Sequence, residues 1–338
     1  MAHRPDLALP TSPFPAYVVS RRGSGVTGGV TALELADLPD GDTLVRVDWS
    51  AVNYKDGMVT RPGNRVARAD VLVPGVDGAG TVVDSAVVAP GTEVVVHGYD
   101  VGVARHGAFA RYLRVPGSWV VPLPDGLSTR HAALIGTAGF TAALSARRLA
   151  QGGVAPDDGP VLVTGASGGV GSMAVALLAR HGYDVVASTG KTDEHEYLRA
   201  LGASSVVGRD LVEQPERVLG PERWAGAVDC VGGTVLAAVL RSVRYGGVVA
   251  ASGLTGGSEL STTVYPFIVR AVSLVGIDTV QTPIDERIAV WSDLAEAFDD
   301  ATLEAMVADE VGLTGLPDAL AAILAGGVRG RVLVSPDW

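Results

Sequence analysis

The chain has a single cysteine among its 338 residues, Cys230. A disulfide within the chain is therefore impossible, and so is a zinc site assembled from several cysteines. Lysine is almost as scarce: Lys55 and Lys191 are the only two, and every other strongly basic side chain is arginine. Charged residues make up 19% and aromatic residues 5%, and no apolar run reaches the roughly 18 residues that a membrane-spanning helix needs. Positive charge is in deficit, with 26 basic against 37 acidic side chains and a formal net charge of −11. That argues against a general binder of nucleic acid or of an anionic membrane, while leaving room for one local basic pocket. Residues 1–15 are proline-rich and polar and lack the apolar core of a signal peptide. The cytoplasm is the expected compartment.

What is abundant is apolar side chain, 47% of the total, and glycine, 44 residues with no collagen period. A sizeable core and many turns follow, and the length suggests two domains. Residues 16–135 read as short β-strands. Val45, Val47, Trp49 and Ala51 alternate on one face of a half-buried strand, and β-rich runs recur at 80–83, 93–97 and 109–115. Pro74-Gly75, Pro90-Gly91 and Pro116-Gly117 punctuate them as turns. The texture changes near Leu127. An Ala-rich helix is expected over 129–149, and from Pro160 apolar strands alternate with helices: strands at 161–163, 184–187, 227–229, 247–250 and 273–276, with helices at 172–180 and 194–201. Uninterrupted apolar strands with intervening helices imply a parallel sheet covered on both faces. The tail adds helices at 288–298 and 316–324 and a last strand at 331–334.

The strongest motif is Val161-Leu162-Val163-Thr164-Gly165-Ala166-Ser167-Gly168-Gly169-Val170-Gly171-Ser172. A buried strand runs into a glycine cluster and then directly into a helix. Ala166-x-Gly168-x-x-Gly171 is a dinucleotide fingerprint with alanine at its first glycine. Side chains must be absent where the turn meets a pyrophosphate, and the helix N-terminus offers it free N–H groups and a positive dipole end. The next strand chooses the nucleotide. Its end, Ala187-Ser188-Thr189-Gly190-Lys191, carries no acid to hold a ribose diol. Hydroxyls and a lysine instead accept an adenosine 2′-phosphate, which points to NADP(H). Arg209, after the following strand, is a candidate second positive contact.

With these features in place the chain resembles the medium-chain dehydrogenase/reductase superfamily over nearly its whole length. Asn53-Tyr54-Lys55-Asp56, Pro74-Gly75-Val76-Asp77, the fingerprint, His195-Glu196-Tyr197-Leu198, Tyr245-Gly246-Gly247 and Thr262-Thr263-Val264 narrow the resemblance to the zinc-free, quinone oxidoreductase-like members. Among them it is most similar to the acrylyl-CoA reductase branch. The resemblance implies an α/β protein in which a GroES-like β-rich catalytic domain, residues 1–135, precedes a Rossmann domain with a doubly wound parallel sheet, residues 136–278. Residues 279–338 would then return to the catalytic domain. It also implies NADPH as cofactor and a homodimer paired through the Rossmann sheets, where Ser273-Leu274-Val275-Gly276-Ile277 forms an apolar edge. Thr137 and Leu254 join Ala166, Ser167, Gly168, Gly169, Val170, Gly171, Ser188, Gly190, Lys191 and Arg209 as the expected cofactor contacts.

Zinc-dependent relatives place a cysteine near Asn53 and a His-Glu pair where Asp77-Gly78 stands. The six histidines, His3, His97, His106, His131, His181 and His195, show no ligand spacing, and no metal is expected. Without a Lewis acid, reduction of an activated C=C bond is the natural chemistry. A short 2-enoyl thioester such as acrylyl-CoA would be reduced, with a quinone or enone as the alternative acceptor. The resemblance sets the Asn53–Asp56 turn beside the nicotinamide. There Tyr54 is a candidate hydrogen-bond donor to the developing enolate, and Asn53 a candidate for orienting cofactor or substrate. Asp56 either takes a direct part, pairs with Lys55, or holds the loop. Arg61, Arg65 and Arg68 follow in one polar loop, which suits either a grip for CoA phosphates or an ordinary solvated segment.

Overall fold

A computed structural model of the chain describes residues 9–212 and 218–335; His3 lies outside them. The chain opens with a hairpin, β1 (Phe14–Arg22) and β2 (Gly25–Leu33), turned at Gly23 with φ +59°. β3 (Thr43–Val52) runs into the short helix α1 (Tyr54–Val59). β4 (Val71–Leu72), β5 (Asp77–Ser85), β6 (Glu93–His97), β7 (Tyr112–Val115) and β8 (Val120–Pro122) follow. The helical run α2 (Thr129–Gln151) is broken at Gly136, where φ is 45° and ψ is −153°.

The alternation along β3 holds only in part. Val45 and Val47 are buried as expected, but pairing with β5 shifts register between Val47 and Trp49. This irregularity leaves Trp49 half-buried beneath the Arg130 guanidinium, 4.9 Å from its ring centroid, and turns Ser50 inward to donate to the Asp77 carbonyl at 2.6 Å. The last residues of the strand are thereby aimed at the start of α1.

The central segment alternates strand and helix: β9 (Val161–Thr164), α3 (Gly169–Arg180), β10 (Val185–Ser188), α4 (His195–Ala200), β11 (Ser205–Val207) and α5 (Arg209–Val212). β12 (Trp224–Asp229), α6 (Gly233–Ser242), β13 (Val243–Ala251), α7 (Tyr265–Arg270) and β14 (Ser273–Gly276) continue it. α3 starts three residues before the expected Ser172, because the fingerprint glycines themselves form its first turn. The chain ends with α8 (Ile284–Ala297), α9 (Asp300–Ala305), β15 (Val307–Val311), α10 (Leu316–Leu324) and β16 (Arg331–Val334).

Two compact units result. The β-rich unit takes in the chain as far as Thr137, then 279–296 and 303 onward. Its larger sheet runs β15-β16-β3-β5-β6-β8, with β7 also paired to β3, and a smaller one runs β2-β1-β4. Val45, Val47, Val82, Val94, Val96 and Leu113 form one of its cores; Phe14, Tyr17, Leu72, Phe109, Leu316 and Leu320 belong to another. The α/β unit takes in 138–278 and 297–302. Its six strands are all parallel, in the order β11-β10-β9-β12-β13-β14. Counted from its own first strand this is the doubly wound order 3-2-1-4-5-6, with the switch point between β9 and β12. Gly136 and Thr137, expected to open the nucleotide-binding domain, group with the β-rich unit, while 297–302 group with the α/β unit.

Candidate active site

Ligands of a doubly wound sheet bind beyond the carboxyl ends of its strands at the switch point. In the α/β unit that place lies after β9 and β12. The tight turn after β9 is carried by Gly165, at φ +59°, so Ala166 can replace the usual first glycine. Ala166 is buried and donates its N–H to the Ser188 carbonyl at 3.0 Å. Gly168 caps α3 in an extended conformation, and a Cβ there would meet only the Gly165 carbonyl, at 3.4 Å. The space over the helix N-terminus is open. At Gly171 a Cβ would lie 2.3 Å from the Gly165 oxygen, so this glycine is required for helix and strand to touch. Gly169 and Val170 complete the first turn of α3.

After β12, Asp229 anchors the opposite turn. Its Oδ1 accepts from the Thr164 hydroxyl at 2.7 Å and its Oδ2 from the Gly232 N–H at 2.7 Å. Burial raises the Asp229 pKa against these donors. Leu254 is exposed just beyond β13, and an open cleft of about 380 Å³ is lined by Ala251, Ser252, Gly253, Gly276, Ile277 and Asp278.

At the end of β10, Ser188 and Thr189 are buried, and the Thr189 hydroxyl meets the Ser167 hydroxyl at 3.1 Å and accepts the Lys191 N–H at 3.1 Å. A Cβ at Gly190 would lie 2.7 Å from Arg209 Nε, so the Arg209 side chain lies across Gly190. Partial burial lowers the Lys191 pKa, Glu194 opposes that shift, and Arg209 adds to it. Two cations thus gather at a strand end that carries no carboxylate. The strand end, the open turn and the helix N-terminus fit a dinucleotide with a phosphorylated ribose.

In the β-rich unit a buried polar cluster forms at the end of β3. Asp77 is fully buried. Its Oδ1 accepts from the Thr137 N–H (2.9 Å) and hydroxyl (2.6 Å), and its Oδ2 from Asn53 Nδ2 (2.8 Å) and Arg331 Nη2 (3.0 Å). Arg331, itself 3% exposed, also donates to Asn53 Oδ1 (3.0 Å) and to the carbonyls of Leu134 (2.9 Å) and Val52 (3.3 Å). Both ends of the Asn53 amide are therefore fixed. Gly136 is required here, since a Cβ would lie 2.2 Å from Asp77 Oδ2. Thr137, expected as a cofactor contact, is engaged with Asp77. Sequence reasoning missed Arg331, whose only signal was a charge heading a strand that is buried throughout.

Asp56 is also fully buried, accepting from the N–H groups of Asn53 (2.8 Å), Gly75 (2.9 Å) and Val76 (3.0 Å). Burial lifts its carboxyl to about 7, and Asp77 adds to the rise, while the three amides pull the other way. It makes no ion pair with Lys55 and ties the α1 turn to the Gly75 turn. Tyr54, next to Asn53, is half-buried, and among the described residues its hydroxyl meets no hydrogen-bond partner.

Asn53 and Asp77, the positions that zinc-dependent relatives use for ligands, do come together, but around a guanidinium. An amide, a carboxylate and an arginine do not fit a zinc ion, because the arginine already neutralises the carboxylate. Among the described residues no group of three or more His, Cys, Asp or Glu side chains is placed to hold a metal.

A doubly wound sheet with a glycine turn at its switch point, coupled in one chain to a β-rich unit with a buried polar cluster, defines a nucleotide-dependent dehydrogenase or reductase of two domains. The chain belongs to the medium-chain dehydrogenase/reductase superfamily: residues 39–125 match the alcohol dehydrogenase GroES-like domain and residues 169–298 the zinc-binding dehydrogenase family. It is 47% identical to acrylyl-CoA reductase AcuI of Ruegeria pomeroyi, over 95% of this chain and 98% of that one. It is also 47% identical, over 95% and 98%, to YhfP of Bacillus subtilis, a protein named only provisionally as a quinone oxidoreductase. The YhfP structure, with NAD bound, superposes with a TM-score of 0.92 over 96% of this chain and 100% of that one, at 46% identity. Escherichia coli YhdH with bound NADPH gives a TM-score of 0.92 over 95% and 100%, at 43% identity.

Proposed function

We propose that the protein reduces the C=C bond of a short 2-enoyl thioester with NADPH, acrylyl-CoA to propanoyl-CoA being the leading substrate. The observation that carries this reading is the Asn53–Tyr54 turn, an amide held at both ends beside a phenol without a partner. The 47% identity to an acrylyl-CoA reductase supports the substrate, and Lys191 with Arg209 at the end of β10 supports NADPH over NADH.

When bound, NADPH supplies the hydride that reduces the substrate's β-carbon. Ala166, Ser167, Gly168, Gly169, Val170 and Gly171 would bind the pyrophosphate through main-chain N–H groups and the α3 dipole. Ser188, Gly190, Lys191 and Arg209 would hold the ribose phosphate, and Leu254 would lie toward the nicotinamide end. Negative charge passes through the conjugated system to the thioester oxygen, and Tyr54 donates its hydroxyl proton in a hydrogen bond to that oxygen as the enolate forms. Asn53 orients the carboxamide or carbonyl groups beside it, with Asp77, Thr137 and Arg331 holding Asn53 and Asp56 holding the turn. A proton taken from solvent water adds at the α-carbon and completes the reduction, with the hydroxide released to solvent.

A second reading, reduction of a quinone or enone with the same donors, is supported by the similarity to YhfP. NADPH oxidation followed with acrylyl-CoA, crotonyl-CoA and a benzoquinone in parallel tests both, and the thioester reading requires a higher kcat/KM for acrylyl-CoA than for the quinone. Tyr54→Phe should lower kcat on acrylyl-CoA by about 10²-fold with KM nearly unchanged. Unaltered turnover would reduce Tyr54 to packing.

The protein is further proposed to be a cytoplasmic homodimer. The edge strand β14 has half-buried Leu274 and Val275, and Val264, Tyr265, Ile268 and Val269 expose apolar surface at and just before α7. A lone cysteine suits a reducing compartment. A monomer in sedimentation at micromolar concentration would overturn the dimer.

A further inference from the structure

The loop 61–70 leaves α1 at the end opposite Tyr54. It carries three arginines against one acid, Asp70, in a chain whose net charge is −11. The loop is held from beneath by another arginine. Arg21, on β1, donates Nη1–H to the Ala67 carbonyl (3.2 Å) and Nη2–H to the carbonyls of Arg61 (3.2 Å) and Asn64 (2.9 Å). Further bonds run from the Arg21 N–H to the Asp70 carbonyl (2.7 Å) and from the Arg68 N–H to the Val103 carbonyl (2.8 Å). Asn64 Oδ1 accepts the Val66 N–H at 2.7 Å, and Gly63 turns the chain at φ +72°.

The arginines on this platform divide by their partners. Arg68 is ion-paired with Asp100. Arg61 and Arg65 are exposed, and among the described residues neither side chain meets a hydrogen-bond or ion-pair partner. The Arg21 guanidinium, tied to three carbonyls of the loop, fixes its backbone. A loop fixed in advance loses less entropy when a ligand binds. The two unpartnered guanidinium groups, with the Arg21 charge below them, make a fixed anion-binding surface that begins one short helix away from the proposed donor Tyr54.

We infer that Arg61 and Arg65 form the subsite for the phosphate-bearing nucleotide end of a coenzyme A thioester. The inference rests on the thioester reading above and deepens it: a free quinone has nothing for this surface to hold, whereas CoA carries a diphosphate and a 3′-phosphate at the far end of its pantetheine arm. The acyl carbon is then left free to reach the Asn53–Tyr54 turn.

The test compares the wild-type protein with an R61A/R65A double variant, both saturated with NADP⁺ so that the adenosine of CoA cannot report the Lys191 end of β10. Calorimetric titration with free coenzyme A should show affinity falling about 10- to 100-fold in the variant, the loss expected for two charge-assisted contacts at a solvent-exposed site. In steady state with NADPH, the KM for crotonyl-CoA should rise by a similar factor with kcat unchanged. Neither parameter should change for crotonyl-N-acetylcysteamine, which has the same acyl group and no phosphate, or for a benzoquinone. Added salt should raise the wild-type KM for crotonyl-CoA and leave that for the N-acetylcysteamine thioester flat. Equal CoA affinity in the two proteins would overturn the subsite. A wild-type protein that binds CoA through these arginines yet reduces only the quinone would overturn the thioester reading and leave the subsite standing. A wild-type protein that neither binds CoA nor turns over its thioesters would overturn both.

Discussion

Replacing Arg331 by methionine keeps most of its volume and removes its charge. In the native protein its guanidinium meets Asp77 Oδ2, Asn53 Oδ1 and two main-chain carbonyls, and the side chains of the Arg331–Asp77 pair are 3% and 0% exposed. Asp77 would be left as a buried carboxylate with only the neutral donors of Thr137 and Asn53. Breaking a buried pair in this way costs about 3–5 kcal/mol. Asp77→Asn on its own also destabilises, since it turns an amide N–H toward the donors of Asn53 and Arg331. In the double variant no charge is orphaned, so the two costs should fall short of additivity by about 2 kcal/mol or more. Urea unfolding followed by tryptophan fluorescence in a Trp224→Phe background reports the right unit, because Trp49, Trp119 and Trp291 lie in the β-rich part of the chain while Trp224 lies in the α/β unit. Turnover should fall with Arg331→Met as the Asn53 amide loses one of its anchors, while NADPH affinity stays nearly unchanged. A cost under about 1 kcal/mol for Arg331→Met, or strict additivity of the two single changes, would refute the account of this cluster.

Three further outcomes are expected. Lys191→Ala and Arg209→Ala should each weaken NADPH by about tenfold and leave NADH nearly unaffected; equal losses for both nucleotides in fluorescence titration would remove the 2′-phosphate argument. Gly168→Val should abolish dinucleotide binding with circular dichroism and melting temperature preserved, whereas Gly171→Ala should lower the melting temperature because its Cβ would collide with the Gly165 carbonyl; the reverse pattern would mean the turn is misassigned. The contributions of His97 and Asp56 to stability should nearly cancel between about pH 4 and 6.5. Burial holds the His97 imidazole at about 3, with Arg287 pushing the same way and Asp77 opposing, and burial lifts Asp56 to about 7, against ordinary values of 6.5 and 3.8. In that window the unfolded His97 binds a proton that the folded one does not, so stability rises with pH by about 1.4 kcal/mol per unit, while folded Asp56 keeps a proton that the unfolded chain has released, giving an equal and opposite slope. Relative to the wild-type profile, Asp56→Asn should uncover the His97 slope, with stability climbing more steeply toward pH 6.5, and a variant whose profile ran parallel to the wild type would count against the burial argument.

Most of the α/β unit was legible because its instructions are local. A buried strand, a glycine turn and a helix stand within a dozen residues of one another from Val161, and the parallel order follows from the alternation downstream. The acid-free end of β10 could likewise be read from Ser188 to Lys191. The β-rich unit was harder. β2 is a glycine-rich strand with most of its residues exposed, so it has no apolar alternation to announce it. The irregularity at Trp49 depends on β5, and nothing in β3 alone reveals it. Asn53 and Tyr54 were singled out through the family resemblance of their turn, but what fixes Asn53 was out of sight. Asp77 lies in β5 and Arg331 in β16, and hydrogen bonds across 24 and 278 residues leave no mark in a local window. Arg287, buried against His97 and three main-chain carbonyls, went unnoticed for the same reason.

The insertion of β16 between β15 and β3 has a consequence for synthesis. Asp77 and the arginine that neutralises it are separated by 254 residues, and ribosomes add roughly 5–20 residues per second. For roughly 13–50 seconds on each nascent chain, at that rate, the carboxylate destined for complete burial has no counter-ion. Over that time the strands of the larger β-rich sheet must stay open at the place that β16 will occupy. The α/β unit, its short 297–302 segment included, is translated in full during this wait. Its fingerprint turn and helix N-terminus can be formed while the polar cluster is still solvated. A nucleotide berth can therefore be complete on the growing chain before the buried cluster at the end of β3 has received its last member.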